Sequence, residues 1–160
     1  MNVTIIYGSD GGATKAVASR IAKKIQARTV NVAAAKAADF EDCDLLILGA
    51  PTYGAGDLQS DWEANLDTLK AANLNGKKVA LFGTGDQVTY AESFVDAMGT
   101  LYDQVVAQGG IVVGFTDTDG YEHSASTAER DGRFVGLALD QDNQSSQSDK
   151  RITAWISHLM

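Results

Sequence analysis

The chain opens on a short β-branched apolar run, Val3-Thr4-Ile5-Ile6-Tyr7, which empties into Gly8-Ser9-Asp10-Gly11-Gly12-Ala13-Thr14. The run reads as a buried parallel strand. Directly after the turn, Val17, Ile21 and Ile25 recur at helical spacing. A strand, a small polar turn and a helix start together make an anion site, because free backbone N–H groups and the positive end of the helix dipole face the turn. Ser9 and Thr14 can add hydroxyl donors. The same residues also suit a plain strand-to-helix turn capped by Ser9 or Asp10. Neither well-known phosphate fingerprint is present. Lys15 follows Thr14 where a Walker loop needs lysine first, and Gly8, Gly11 and Gly12 do not fit G-x-G-x-x-G.

Similar punctuation recurs along the chain. Arg28 to Ala33 suggests a short second strand, and Asp44-Leu45-Leu46-Ile47-Leu48-Gly49 is a continuous apolar run that reads as a central strand. A loop from Ala50 to Gln59 follows it. Ser60-Asp61-Trp62-Glu63 then has the spacing of a capping box and predicts a helix with Trp62, Leu66 and Leu69 on its apolar side. Lys78 to Gly83 predicts a fourth strand, about Ala91 to Gln108 a helix, and Ile111 to Phe115 a fifth strand. A helix from about Ser148 to Leu159 closes the chain.

Strands alternating with helices imply a doubly wound α/β fold: a five-stranded parallel sheet, order 2-1-3-4-5, with helices on both faces. The polar stretch from about 116 to 140 breaks the alternation. With Phe134-Val135-Gly136-Leu137-Ala138-Leu139 as its apolar run, it either completes the fifth strand or makes a small subsheet. A length of 160 residues fits one domain.

Charge and cysteine content narrow the function. A net charge of −8 repels nucleic acid and anionic membranes and favours basic protein partners. The single cysteine, Cys43, leaves no internal disulfide and reads as a small core residue. His123 and His158 stand apart with no ligand cluster, so no metal site is expected. With no signal peptide and no bilayer-spanning run expected, the sequence reads as a cytoplasmic protein.

In an open doubly wound sheet, ligands bind beyond the carboxyl ends of the strands at the switch point. The expected strand order makes neighbours of Ser9–Thr14, Ala50–Gln59 and Gly83–Tyr90. The first loop can hold a phosphate. The second carries Tyr53 and the third Tyr90, and two rings flanking a gap suit a flat ring system.

The motifs along these loops resemble the flavodoxins, small FMN-containing electron carriers, and specifically their long-chain group. They are Thr4-Ile5-Ile6-Tyr7-Gly8-Ser9, Ala50-Pro51-Thr52-Tyr53-Gly54 with Leu58-Gln59-Ser60-Asp61-Trp62, Phe82-Gly83-Thr84-Gly85-Asp86-Gln87 with Tyr90, Asp119-Gly120-Tyr121, and Phe134 to Asp140. The stretch from 116 to 140 matches the insertion of that group. The resemblance implies noncovalent FMN, its phosphate held by Ser9, Asp10, Gly11, Gly12, Ala13 and Thr14 without a Lys or Arg counter-charge. Pro51, Thr52, Thr84 and Gly85 would line the cofactor, with Thr52 and Thr84 against the phosphate and ribityl chain. Tyr53 and Tyr90 would sandwich the ring, Asp86 would meet its pyrimidine edge, and Ser93 would also be a cofactor-binding residue. Asp142 would lie near the ribityl hydroxyls. Gly54, Ala55 and Gly56 would form a hinge beside the ring. Where Gly11 stands the family has a hydroxyl residue, and where Tyr53 stands most long-chain members have tryptophan.

The function implied is a low-potential one-electron carrier with no substrate of its own, a monomer passing electrons between basic-faced redox enzymes such as a flavodoxin reductase and its acceptors. Acidic residues around the expected site (Asp57, Asp61, Glu63, Asp86 and Glu92) would steer such partners. An NAD(P)H-dependent flavin or quinone reductase on the same fold would need a nicotinamide site, which no motif suggests. A phosphoacceptor receiver would need acids after strands one and three and a lysine after strand five. Those places hold Tyr7-Gly8, Gly49-Ala50 and Thr116.

Overall fold

The computed structural model describes residues 2–53 and 57–159, with the backbone alone at Tyr53. The elements run β1 (Val3–Tyr7), α1 (Ala13–Ile25), β2 (Arg28–Asn31), α2 (Ala37–Glu41), β3 (Leu45–Tyr53), β4 (Asp57–Leu58), α3 (Ser60–Ala71), β5 (Lys78–Thr84), α4 (Asp96–Ala107), β6 (Ile111–Val113), β7 (Thr116–Asp117), β8 (Glu129–Arg130), β9 (Arg133–Phe134), β10 (Leu137–Leu139) and α5 (Ser145–Leu159). The sheet order is β2-β1-β3-β5, with both β6 and β10 parallel to β5 at the far edge. This is the order expected from the sequence.

Among the described residues this sheet has seven strands rather than five, for two reasons. Two-residue β4 turns back antiparallel on the end of β3. The fifth position is also shared: Ile111–Val113 lies along Lys78–Ala80, and Leu137–Leu139 along Phe82–Thr84. Between these halves, β7, β9 and β8 form a separate three-stranded antiparallel sheet. The polar stretch thus both completes the fifth strand and makes a subsheet.

Successive residues of the central strands serve opposite faces, which is why their sequences are apolar throughout. Ile5, Ile47, Ala80 and Phe82 pack with Val17 and Ile21 of α1 and with Ile152 and Trp155 of α5. Ile6, Leu46, Leu48, Val79 and Leu81 pack on the other face with Trp62, Leu69, Met98 and Leu101. Cys43 is half-buried against this second core, and burial pushes its thiol up from the usual range.

Three helix starts differ from the sequence reading. Helix α3 is capped by Gln59, whose side chain accepts from Trp62 N, so Ser60 is its first residue and not its cap. Helix α4 begins at Asp96 instead of about Ala91, because residues 87–95 are spent in turns that bury Phe94 and Val95. Helix α5 begins at Ser145, ahead of the expected Ser148.

Candidate functional site

The carboxyl ends of β1, β3 and β5 meet the loop after β10 around a cavity of about 290 Å³, at the low end of small-ligand pockets at about 300–1,000 Å³. Ser9, Gly11, Ala13 and Thr14 line it from the first loop, Pro51 and Thr52 from β3, and Thr84, Gly85, Asp86 and Tyr90 from the third. Gln141 and Asp142 close the remaining wall. No Lys or Arg is among these lining residues.

The first loop is shaped around an open helix end. Gly12 precedes α1 with φ +89°, a left-handed conformation that glycine adopts without a Cβ clash. No side chain caps α1, and its first turn carries no acid. The Ser9 hydroxyl accepts from Gly12 N at 3.1 Å, which folds the loop without covering the helix start. The first intrahelical bond runs from Ala16 N to Gly12 O at 2.9 Å. The amides of Ala13, Thr14 and Lys15 therefore precede the ladder, in the field of the helix's positive end. This arrangement presents neutral donors suited to an anion.

Hydroxyls and carboxylates fix the other walls. Thr14 and Thr84 are buried, and their hydroxyls lie 3.0 Å apart. Thr52 Oγ1 accepts from Ala97 N at 2.9 Å, which ties the end of β3 to the first turn of α4. Asp86 folds its own loop: Oδ1 accepts from Val88 N at 3.1 Å, Thr89 N at 2.9 Å and Asn143 Nδ2 at 2.7 Å. The Thr89 amide holds this carboxyl below the usual aspartate range, against a smaller opposing effect of burial. Tyr90 stands at the mouth, 44% exposed.

The far wall hangs on Asp140. This fully buried carboxylate accepts from Gln87 N, Asp142 N, Asn143 N and Asn143 Nδ2. It joins the loop after β10 to the loop after β5. Asp142 is exposed, and burial of its carboxyl, followed by the charges of Asp86 and Asp140, pushes it above the usual range.

The residues expected at the site divide cleanly. Among the described residues, eleven of the twelve that line the cavity were expected, and Gln141 is the addition; it carries no motif, and only the return of the chain through β10 brings it here. Asp10, Gly12 and Ser93 do not line the cavity. Asp10 is turned onto Gln59, Gly12 sets the helix entry, and buried Ser93 sits in the turn below Tyr90, its N–H bonded to Tyr90 O at 3.2 Å. Gly54, Ala55, Gly56 and the Tyr53 side chain lie outside the described residues. Tyr121 belongs elsewhere: its hydroxyl donates to Ala138 O at 2.6 Å, its ring packs on Phe94 and Phe134, and burial pushes it up to about 12. Among the described residues no group of three or more His, Cys, Asp or Glu could hold a metal ion, and no helix is long and apolar enough to cross a membrane.

Comparison with known proteins agrees with this geometry. The sequence profile of the family described as Flavodoxin matches residues 5–155. A flavodoxin of Nostoc sp. is 44% identical over 160 residues, spanning 98% of this chain and 94% of the relative. The flavodoxin of Helicobacter pylori is 44% identical over 158 residues, spanning 98% and 95%. The crystal structure of Fusobacterium nucleatum flavodoxin bound to flavin mononucleotide is similar with a TM-score of 0.92 at 38% identity, over 99% of this chain and 96% of that one. The chain belongs to the flavodoxin family.

Proposed function

We propose that this protein is a low-potential one-electron carrier that binds FMN noncovalently, as a single domain over residues 1–160. The observation that supports this most is the cavity itself: uncapped amides and hydroxyls at one end, no basic side chain, and an aromatic ring at the mouth. That layout fits a molecule with a terminal phosphate and a flat ring. The bound flavin supplies the one-electron chemistry, and the protein binds, orients and tunes it.

Each residue then has a defined task. The amides at the start of α1, with the Ser9 and Thr14 hydroxyls, receive the phosphate. Thr52 and Thr84 meet the ribityl chain from the strand ends, and Gln141 and Asp142 border it from the far wall. Tyr90 stacks on one ring face, where offset stacking adds roughly 0.5–1.5 kcal/mol beyond burial. The motif match assigns Tyr53 to the other face and Gly54, Ala55 and Gly56 to a hinge beside the ring. Asp86 stiffens the loop at the pyrimidine edge. Carboxylates around the site disfavour added negative charge on the ring, which lowers its potential.

The partners proposed are redox enzymes with basic faces, met by a monomer in the cytoplasm. A net charge of −8, with Asp57 and Glu92 exposed near the site, supports a salt-sensitive encounter. The visible spectrum of purified protein, with acid release of the cofactor and chromatography, tests the reading. FMN is expected. Recovery of FAD, absence of flavin, or oxidation of NAD(P)H by the protein alone would overturn it.

A further inference from the structure

Gln59 is fully buried, although it is a polar residue at the start of a helix. Its amide is in full use. Oε1 accepts from Trp62 N at 3.2 Å, while Nε2 donates to Asp10 Oδ1 at 2.8 Å and to Asp61 Oδ2 at 3.1 Å. The space it fills exists only because residue 8 is glycine. A Cβ there would stand 2.2 Å from Gln59 Oε1 and 2.7 Å from Trp62 Cδ1. Gln59 therefore reaches across the sheet edge from the α3 cap into the back of the first loop.

The contact matters because of where Asp10 sits. Its neighbours Ser9 and Gly11 both line the cavity, and Asp10 does not. Asp10 is the only carboxylate in the loop from Gly8 to Thr14, and otherwise that loop offers an anion neutral donors alone. A free aspartate between two cavity-lining residues has the cavity within reach of its side chain. Tied to Gln59, Asp10 stays outside the lining.

We infer that Gln59 is a positioning residue for phosphate recognition: its amide holds the Asp10 carboxylate out of the cavity, so that the loop accepts a dianionic group. The inference rests on the FMN reading above and adds a residue outside the motif's cofactor contacts. Its signature is selective. Loss of the tether weakens binding of FMN, which carries the phosphate, and spares riboflavin, which lacks it.

The test is flavin titration of apoprotein by fluorescence quenching. Gln59→Asn keeps a favoured helix cap but is one methylene too short for Asp10, and Gln59→Met keeps the length but loses both cap and tether. Both variants are expected to raise the Kd for FMN about tenfold, the order set by a unit charge coming within several ångström of another near a protein surface. The Kd for riboflavin should stay within about twofold, because no charge meets the neutral ligand. Adding Asp10→Asn to either variant should restore FMN affinity, since the released side chain is then neutral. An unchanged ratio of FMN to riboflavin affinity, or no restoration by Asp10→Asn, would overturn the inference while leaving the FMN reading standing. Failure of the unmodified apoprotein to bind FMN would overturn both.

Discussion

Thr14 Oγ1 and Thr84 Oγ1 meet at 3.0 Å across 70 residues of chain, and this bond joins the first turn of α1 to the end of β5 beneath the cavity. Both residues are buried in the cavity wall, and each hydroxyl is the other's partner there.

Replacing one member should therefore cost more than its share of the bond. Thr14→Val or Thr84→Val leaves the remaining hydroxyl without this partner, at up to about 1–3 kcal/mol. The double variant leaves neither group stranded and should cost clearly less than the sum of the singles. Urea unfolding of the four apoproteins measures this coupling. Strict additivity would mean that the hydroxyls act separately.

Tyr90 and Tyr121 should separate binding from stability. Tyr90→Ala removes an exposed ring at the cavity mouth, so FMN affinity falls while the melting temperature of the apoprotein hardly moves. Tyr121→Ala removes a ring packed on Phe94 and Phe134 beneath the Arg151 guanidinium, together with the bond to Ala138 O. It should destabilise the fold by about 3 kcal/mol or more. Thermal melts and FMN titration of both variants are the check. Equal FMN affinity for Tyr90→Ala and the unmodified protein would remove the ring from the site.

The acid limb of stability should carry opposite contributions from Asp86 and Asp142. The Asp86 carboxyl is lowered from 3.8 in the folded chain. It stabilises above the unfolded value and loses that contribution as pH falls through the folded one. Asp142 is raised from 3.8, so its ionised form is disfavoured by folding, and acidification through the raised value relieves that penalty. Asp86→Asn should therefore flatten the loss of stability below about pH 4, whereas Asp142→Asn should raise apoprotein stability near neutrality and converge with the unmodified protein in acid. Melting temperatures from pH 3 to pH 7 decide it. The same slope in all three proteins would contradict the assignment.

The sequence was a good guide wherever a signal is local. Val3–Tyr7, Leu45–Gly49 and Lys78–Gly83 are apolar on both faces, and their order with the intervening helices defines the sheet and the three loops of the site. It was a poor guide where a residue's role depends on distant chain. Ser60 has a better cap chemistry than Gln59 on paper. Glutamine caps α3 because Gly8, far upstream, leaves room for its side chain. The apolar residues near 94 and 95 fit a helical period, yet they enter the core from turns. The five residues of α2 are too few to show a period. Two apolar runs competed for the fifth strand, and nothing local to either says that both lie on β5.

That shared edge has a consequence for the chain as a whole. Val113 pairs with Ala80 and Leu137 with Phe82, so everything from Gly114 to Gly136 leaves and rejoins the sheet across the width of one β5 residue, Leu81. The excursion returns two β5 positions from where it left, from beside Ala80 to beside Phe82. The register at both ends is fixed by β5 and not by the ends themselves. The cavity wall at Gln141 and Asp142 lies beyond the point of return, yet the detour braces it: Tyr121 donates to Ala138 O, and Glu122 N–H to Gln87 Oε1. Room for change on that edge is thus confined to its exposed positions, while buried Ala128, Phe134 and Val135 anchor the detour to the core.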